Sequence, residues 1–184
     1  MDLYKLARRR FHSMYSRCYR DESKYAERRA YSDCEICFEW LNYTNYTDWF
    51  ICNWYEVKSG SQMQVDKDII SPGNREYSPE TCIIVPSYVN TYFTGYVNNT
   101  TAGVYKYKEC KKYTARSKEF NGTKTSYLGI YDTAEEAHKA WADYKNKQLQ
   151  EQVIPYFIND INAEDLNHPM VIKAIEALRR FRFE

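Results

Sequence analysis

The spacing of hydrophobic positions changes from helical to strand-like along the chain, which predicts an α+β fold. From residue 3 to about residue 31 the sequence contains neither glycine nor proline. Within it, Phe11, Met14 and Cys18 recur three and four residues apart, as they do on one face of a helix. The N-terminal segment is therefore predicted to be helical, with one face packed and the other carrying arginines.

A second helical stripe is predicted from the aromatic residues that follow. Trp40, Tyr43, Thr47, Phe50 and Trp54 recur at intervals of three and four residues. Stripes of this kind usually belong to the core, because burying large rings contributes strongly to stability. We therefore expect core packing here rather than a platform for stacking bases.

Residues 65–93 predict two strands and a helix. Residues 65–70 suit a short strand, a loop with two prolines follows, and the apolar run 81–86 suits a second strand. Residues 87–93 suit a short helix. The polar, uncharged residues 97–102 are the best candidate for a linker.

Beyond the linker, bulky and polar residues alternate, which predicts a meander of three antiparallel strands between residues 103 and 130. Asn121-Gly122 is a typical hairpin turn. Thr133 and Glu136 have the spacing of a capping box, so a helix is expected to begin there and to cover one face of the sheet. A last helix is predicted at about residues 169–181.

Composition and charge limit the range of functions. The 184 residues are 43% hydrophobic, which is enough for one compact domain or two small ones. The net charge is only +1, so any nucleic-acid surface has to come from local segregation of charge. Lysine and arginine do predominate in residues 1–30 and 103–126.

Segments missing from the sequence indicate the cellular location of the protein and the redox state of its cysteines. Neither a signal-peptide core nor a run of about 18 apolar residues is present, so we expect a soluble cytoplasmic protein with no membrane partner. Of six cysteines, only Cys34 and Cys37 have the spacing of half a zinc site, and no second half follows. Reduced, buried thiols are the favoured interpretation, with structural zinc as the lesser alternative.

The predicted sheet offers a candidate surface for double-stranded DNA. If a helix covers one face, the other remains open, and a sheet of this size fits a major groove with arginine reading guanine and lysine meeting phosphate. The alternative is an ordinary solvated basic surface. The residues assigned to this surface are Lys106, Lys108, Lys112, Arg116, Lys118 and Lys124.

The same region resembles a known family. Tyr113-Thr-Ala-Arg116, the run from Tyr127 to Ala137 and Ala140-Trp141 resemble the APETALA/ethylene-response-factor type DNA-binding domain over about residues 103–148. The resemblance implies that the sheet docks in the major groove, with Arg116 and neighbouring lysines in contact with DNA. It also implies that the helix beginning at Thr133 braces the sheet.

The N-terminal half resembles bacteriophage proteins related to HNH homing endonucleases, many of which carry this same sheet domain. The resemblance lies in residues 11–19, 65–69, 73–82 and 85–90. In active members an Asp-His pair ends the first strand, and an Asn or His on the helix completes a metal site. Here the pair is Asp66-Lys67, and a lysine with a pKa near 10.4 is a poor general base.

Two interpretations of this HNH-like core stay open. If nuclease activity survives, Asp66 and Lys67 are the catalytic candidates, and Asp66, Asp68 and Asn90 would hold Mg²⁺. Otherwise Asp66, Asn74 and Asn90 tie the loop together by hydrogen bonds.

Three functional hypotheses result, over predicted domains 1–96, 103–150 and 151–184. The first is a sequence-selective double-stranded DNA-binding protein of phage type, derived from an HNH homing endonuclease, that acts as a repressor or site competitor without a cofactor. The second is an active metal-dependent endonuclease, and the third is a protein-interaction module. Monomer and homodimer are both left open. In the first hypothesis the N-terminal helix grips phosphates through Arg8, Arg9, Arg10 and Arg17.

Overall fold

The computed structural model describes residues 2–19, 33–94, 101–107 and 111–184, and it has the mixed α+β architecture that the sequence predicts. An N-terminal helix, small sheets and a C-terminal helix are all present. The elements are α1 (Leu3–Tyr19), β1 (Glu35–Ile36), α2 (Phe38–Leu41), α3 (Tyr43–Cys52), β2 (Met63–Asp66), β3 (Glu76–Tyr77), β4 (Ile83–Pro86), α4 (Ser87–Phe93), β5 (Val104–Lys106), β6 (Tyr113–Lys118), β7 (Thr125–Tyr131), α5 (Ala134–Gln148), a π-helical turn (Leu149–Val153), α6 (Ile154–Asp160), a 3₁₀ turn (Ala163–Asp165) and α7 (Pro169–Arg180).

Two strands and a helix are present in the N-terminal half, as expected, but the first strand is Met63–Asp66 rather than residues 65–70, because residues 67–70 form a turn. Strands β2 and β4 pair antiparallel, with Asp66 opposite Ile83, and α4 begins directly after β4. Strand β4 is buried along its whole length, since α4 and α7 both pack against it. A short parallel pair, β1 with β3, was not predicted.

The three-stranded meander is confirmed, in the order β5-β6-β7. Helix α5 lies on one face of it: the hydroxyls of Ser126 and Tyr144 are 3.2 Å apart, and Ala115 is fully buried. The capping box is also confirmed, because the Thr133 hydroxyl accepts from the Glu136 amide and the Glu136 carboxylate accepts from the Thr133 amide. The helix is thereby fixed at the corner where the sheet ends.

One helical prediction is tested only in part and another needs correction. Helix α1 is described over Leu3–Tyr19, as predicted, and residues 20–31 of the predicted helix lie outside the described residues. The aromatic stripe does not belong to one helix, because Asn42 is extended and its side chain caps α3 by accepting from the Thr44 amide at 3.0 Å. Trp40 and Phe50 are nevertheless in the core, as expected, whereas Tyr43 is 37% exposed.

The C-terminal segment joins the two halves of the chain. The ring of Phe183 lies 5.7 Å from that of Tyr92 on α4 and 5.6 Å from that of Trp141 on α5. Asn146 holds the Phe183 backbone through both its N–H and its C=O, each at 2.9 Å. Packing is therefore continuous across the boundaries predicted for separate domains, whose independence stays a prediction.

In the part of the chain that the structure describes, no helix is long and apolar enough to cross a membrane.

Candidate nucleic-acid interface

The sheet has an open face opposite α5, and strand register shows which residues lie on it. Tyr105, Thr114 and Ile130 are cross-strand partners, and Arg116 is opposite Tyr127. The Arg116 guanidinium lies 5.6 Å from the centre of the Tyr105 ring, so these two sets of cross-strand partners lie on the same face of the sheet.

Large apolar side chains on this face are exposed to solvent. Tyr105 is 54% exposed, Tyr127 57% and Ile130 46%. Exposed aromatic side chains grouped on one sheet face are typical of an interaction surface. Lys118 follows Arg116 by two residues, so it lies on the same face, and both are exposed.

A β-bulge determines which residue of β7 lies opposite Arg116. The register shifts between Ala115 and Arg116, so that Leu128 is the extra residue on β7. The next residue, Gly129, has φ +135, and a Cβ there would lie 3.0 Å from the Tyr131 hydroxyl oxygen. The bulge brings Tyr127 opposite Arg116.

The other basic residues assigned to the sheet are not all on the open face. Lys112 is at its end, 2.8 Å from the Asp132 carboxylate, and Lys124 is exposed in the loop before β7. Lys106 follows Tyr105 directly in β5, so it lies on the face of the sheet that α5 covers. Its predicted placement on the open face is therefore wrong. Lys108 lies outside the described residues.

On α1 only some of the predicted arginines are available for a partner. Arg8 and Arg9 are exposed. Arg10 donates to the carbonyl of Met63 at 2.7 Å, and burial lowers the pKa of its guanidinium. Arg17 is half-buried, 5.6 Å from the Tyr77 ring centre.

Asp66 and Lys67 belong to a local network of hydrogen bonds at the end of β2. The Asp66 Oδ1 accepts from the amides of Asp68 at 2.9 Å and Ile69 at 2.8 Å, and burial raises the pKa of Asp66 to about 6. Lys67 is only 4% exposed. Its ammonium donates to Asp68 Oδ1 at 2.7 Å and to the Asn74 carbonyl.

The two asparagines of this core are also bonded within it. The Asn74 side chain donates to the carbonyls of Lys67 and Glu76 and accepts from the Glu76 amide. The Asn90 side-chain amide donates to Gln64 Oε1. These contacts fit the loop-tying interpretation better than a magnesium site.

The two cysteines with zinc-like spacing lie on either side of a short strand. Cys34 and Cys37 flank the extended strand β1, with Cys34 buried and Cys37 preceding α2. Among the described residues no cluster of three or more His, Cys, Asp or Glu side chains could hold a metal.

Sequence reasoning missed the aromatic part of the candidate interface. The sequence predicts Tyr105, Tyr127 and Ile130 only as strand residues, although the alternation of tyrosines with basic residues is a signal for a mixed aromatic and cationic surface. Comparison of the chain with family models, with curated proteins and with solved structures returned no match.

Proposed function

We propose that the protein is a sequence-selective double-stranded DNA-binding protein that docks the open face of the β5-β6-β7 sheet in the major groove. The observation that carries the proposal is the grouping of exposed Arg116 and Lys118 with exposed Tyr105 and Tyr127 on a face that α5 leaves open. The resemblance of residues 103–148 to a sheet-type DNA-binding domain supports the same function.

The dimensions of the sheet suit a duplex. Strand β6 has six residues and is therefore about 20 Å long, and three strands span roughly 10–14 Å across. The major groove of B-DNA is about 12 Å wide, so the sheet fits along it. In this orientation Arg116 would meet base edges, and Lys118 a phosphate.

The N-terminal half resembles HNH proteins, and the side chains around Lys67 are engaged in hydrogen bonds within the protein. Both observations support descent from a homing endonuclease without retained cleavage. In the proposal, binding without cleavage makes the protein a repressor or a competitor at its site, in a phage-infected bacterial cell, and it needs no cofactor.

Selection of bound fragments from a random or source-phage DNA pool, followed by fluorescence anisotropy on the enriched site, tests the proposal. Arg116→Ala should cost about 1–3 kcal/mol and relax preference at one base pair. Lys118→Ala should weaken all sequences alike and reduce the slope of log K against log salt by about 0.9. Lys139→Ala, an exposed lysine on α5, is the matched control. No enriched site, or equal effects of Lys118→Ala and Lys139→Ala, would contradict the proposal.

A nuclease is the second candidate, because β2, β4 and α4 form the strand-strand-helix unit that the HNH resemblance implies. Supercoiled plasmid incubated with the protein and Mg²⁺ or Mn²⁺ should stay intact if the protein only binds. Cleavage that disappears in Asp66→Ala would establish the enzyme instead.

A further inference from the structure

A groove between α1 and α3 lies outside the sheet. Its volume is about 550 Å³, within the usual range of ligand-binding clefts. Its lining residues come from the first three turns of α1 and from the start of α3. They are Tyr4, Lys5, Arg8, Phe11, His12 and Tyr43.

The groove has an aromatic floor. Phe11 is buried, and its ring lies 5.3 Å from that of Tyr43, which is 37% exposed. Tyr4 is 68% exposed. The tyrosine rings therefore offer solvent-accessible aromatic surface next to a closed apolar base, which suits the stacking of another planar ring.

The rim of the groove carries nitrogen donors. The side chains of Arg8 and His12 are exposed, and neither side chain makes a hydrogen bond or ion pair with any residue that the structure describes. Lys5 lies 3.3 Å from Asp2, but this pair is on the surface and is screened by solvent. The rim thus leaves donors for an anionic group beside the aromatic floor.

Aromatic and basic residues of the groove lie on the same side of α1. Tyr4, Arg8 and His12 are four residues apart, so they form one stripe along the helix, and Tyr15, 46% exposed, continues it. A groove that combines basic side chains with exposed aromatic rings matches the chemistry of a strand with phosphates and unstacked bases.

We propose that this groove binds an unpaired nucleic-acid strand, with a base on the Tyr4 and Tyr43 rings and phosphates at Arg8, Lys5 and His12. In a duplex the base faces are covered by their neighbours, so a concave aromatic floor selects unpaired nucleotides. The proposal uses a surface separate from the sheet and does not rest on the proposed duplex binding.

The test is fluorescence anisotropy of the full chain with labelled 15-nucleotide oligothymidylate and oligouridylate. Tyr4→Ala should weaken binding roughly tenfold, as expected for loss of one stacked base. Tyr4→Phe should stay within about twofold of the wild type, because it keeps the ring. Tyr4 is suited to this change because it is largely exposed, so the fold should tolerate it.

Arg8→Ala should lower the slope of log K against log salt by about 0.7, the value for one phosphate of a single strand. The matched control is Arg180→Ala, an arginine with an 81% exposed side chain on α7, which should leave binding unchanged. A preference for one of the two oligonucleotides would support the proposal and identify the strand as DNA or RNA.

Other outcomes would overturn the inference: no binding of either oligonucleotide, or equal affinity of Tyr4→Ala and Tyr4→Phe. Loss of strand binding in Tyr127→Ala but not in Tyr4→Ala would place the strand on the sheet and also overturn it. If the strand binds the groove while no duplex site is enriched, the duplex proposal fails and this one stands.

Discussion

Replacement of Asp66 by asparagine tests whether the hydrogen bonds of Asp66 hold together the turn after β2. Burial raises the pKa of Asp66 from 3.8 to about 6 in the folded protein. Because the folded chain holds this proton more tightly than the unfolded chain, the associated stability is fully present below about pH 4. It is lost as the pH rises through 6. A difference of about two pKa units corresponds to about 3 kcal/mol at most.

Asparagine keeps the Oδ1 acceptor for the amides of Asp68 and Ile69 but carries no charge. Asp66→Asn should therefore match the wild type near pH 4 and exceed its free energy of unfolding by up to about 3 kcal/mol above pH 7. Urea unfolding, followed by tryptophan fluorescence at a series of pH values, measures this difference.

Asp68→Asn is the informative companion variant. Asp68 is 2.7 Å from the buried ammonium of Lys67, so its neutralisation should cost about 2 kcal/mol at pH 7, the opposite sign. A loss of stability in Asp66→Asn at neutral pH would refute the reasoning, since it would mean that the ionised carboxylate is favourable in the fold. Added Mg²⁺ should not change the difference between Asp66→Asn and the wild type.

Two further substitutions test how the sheet is held on its helix. Gly103→Ala should cost about 3 kcal/mol in thermal or urea unfolding, because φ is +73 and a Cβ would lie 2.0 Å from the Trp141 ring. Gly60→Ala, at φ +65 with nothing within 4 Å, should cost only about 1 kcal/mol, and equal losses at both glycines would contradict the steric argument. Thr133→Ala should cost about 1 kcal/mol and Thr133→Ser much less, because serine keeps the capping hydroxyl; a similar loss in both would mean that the cap is not the cause.

Local chemistry made part of the fold predictable. Thr133 and Glu136 indicate a capping box within four residues, and the structure contains it. The chain turns at Asn121-Gly122, as predicted, and Asn121 adopts a positive φ of 54, although six residues rather than two separate β6 from β7. In each case the residues that decide the conformation are neighbours in sequence.

Features that depend on distant residues were not predictable. The parallel pairing of β1 with β3 joins two-residue segments about forty positions apart, with no local pattern to indicate it. The open face was only partly assigned, because a one-residue difference in strand phase moves a side chain such as Lys106 to the opposite face. The bulge that sets Tyr127 against Arg116 likewise appears only when the strands pair.

The position of Phe183 has a consequence for dissecting the protein. Its ring fills space shared by α4 and α5, so residues 103–150 expressed alone would expose the apolar side of Trp141, and residues 1–96 alone would expose Tyr92. Truncated fragments would therefore be prone to aggregation for reasons unrelated to DNA. Functional mapping is better done with point substitutions in the intact chain.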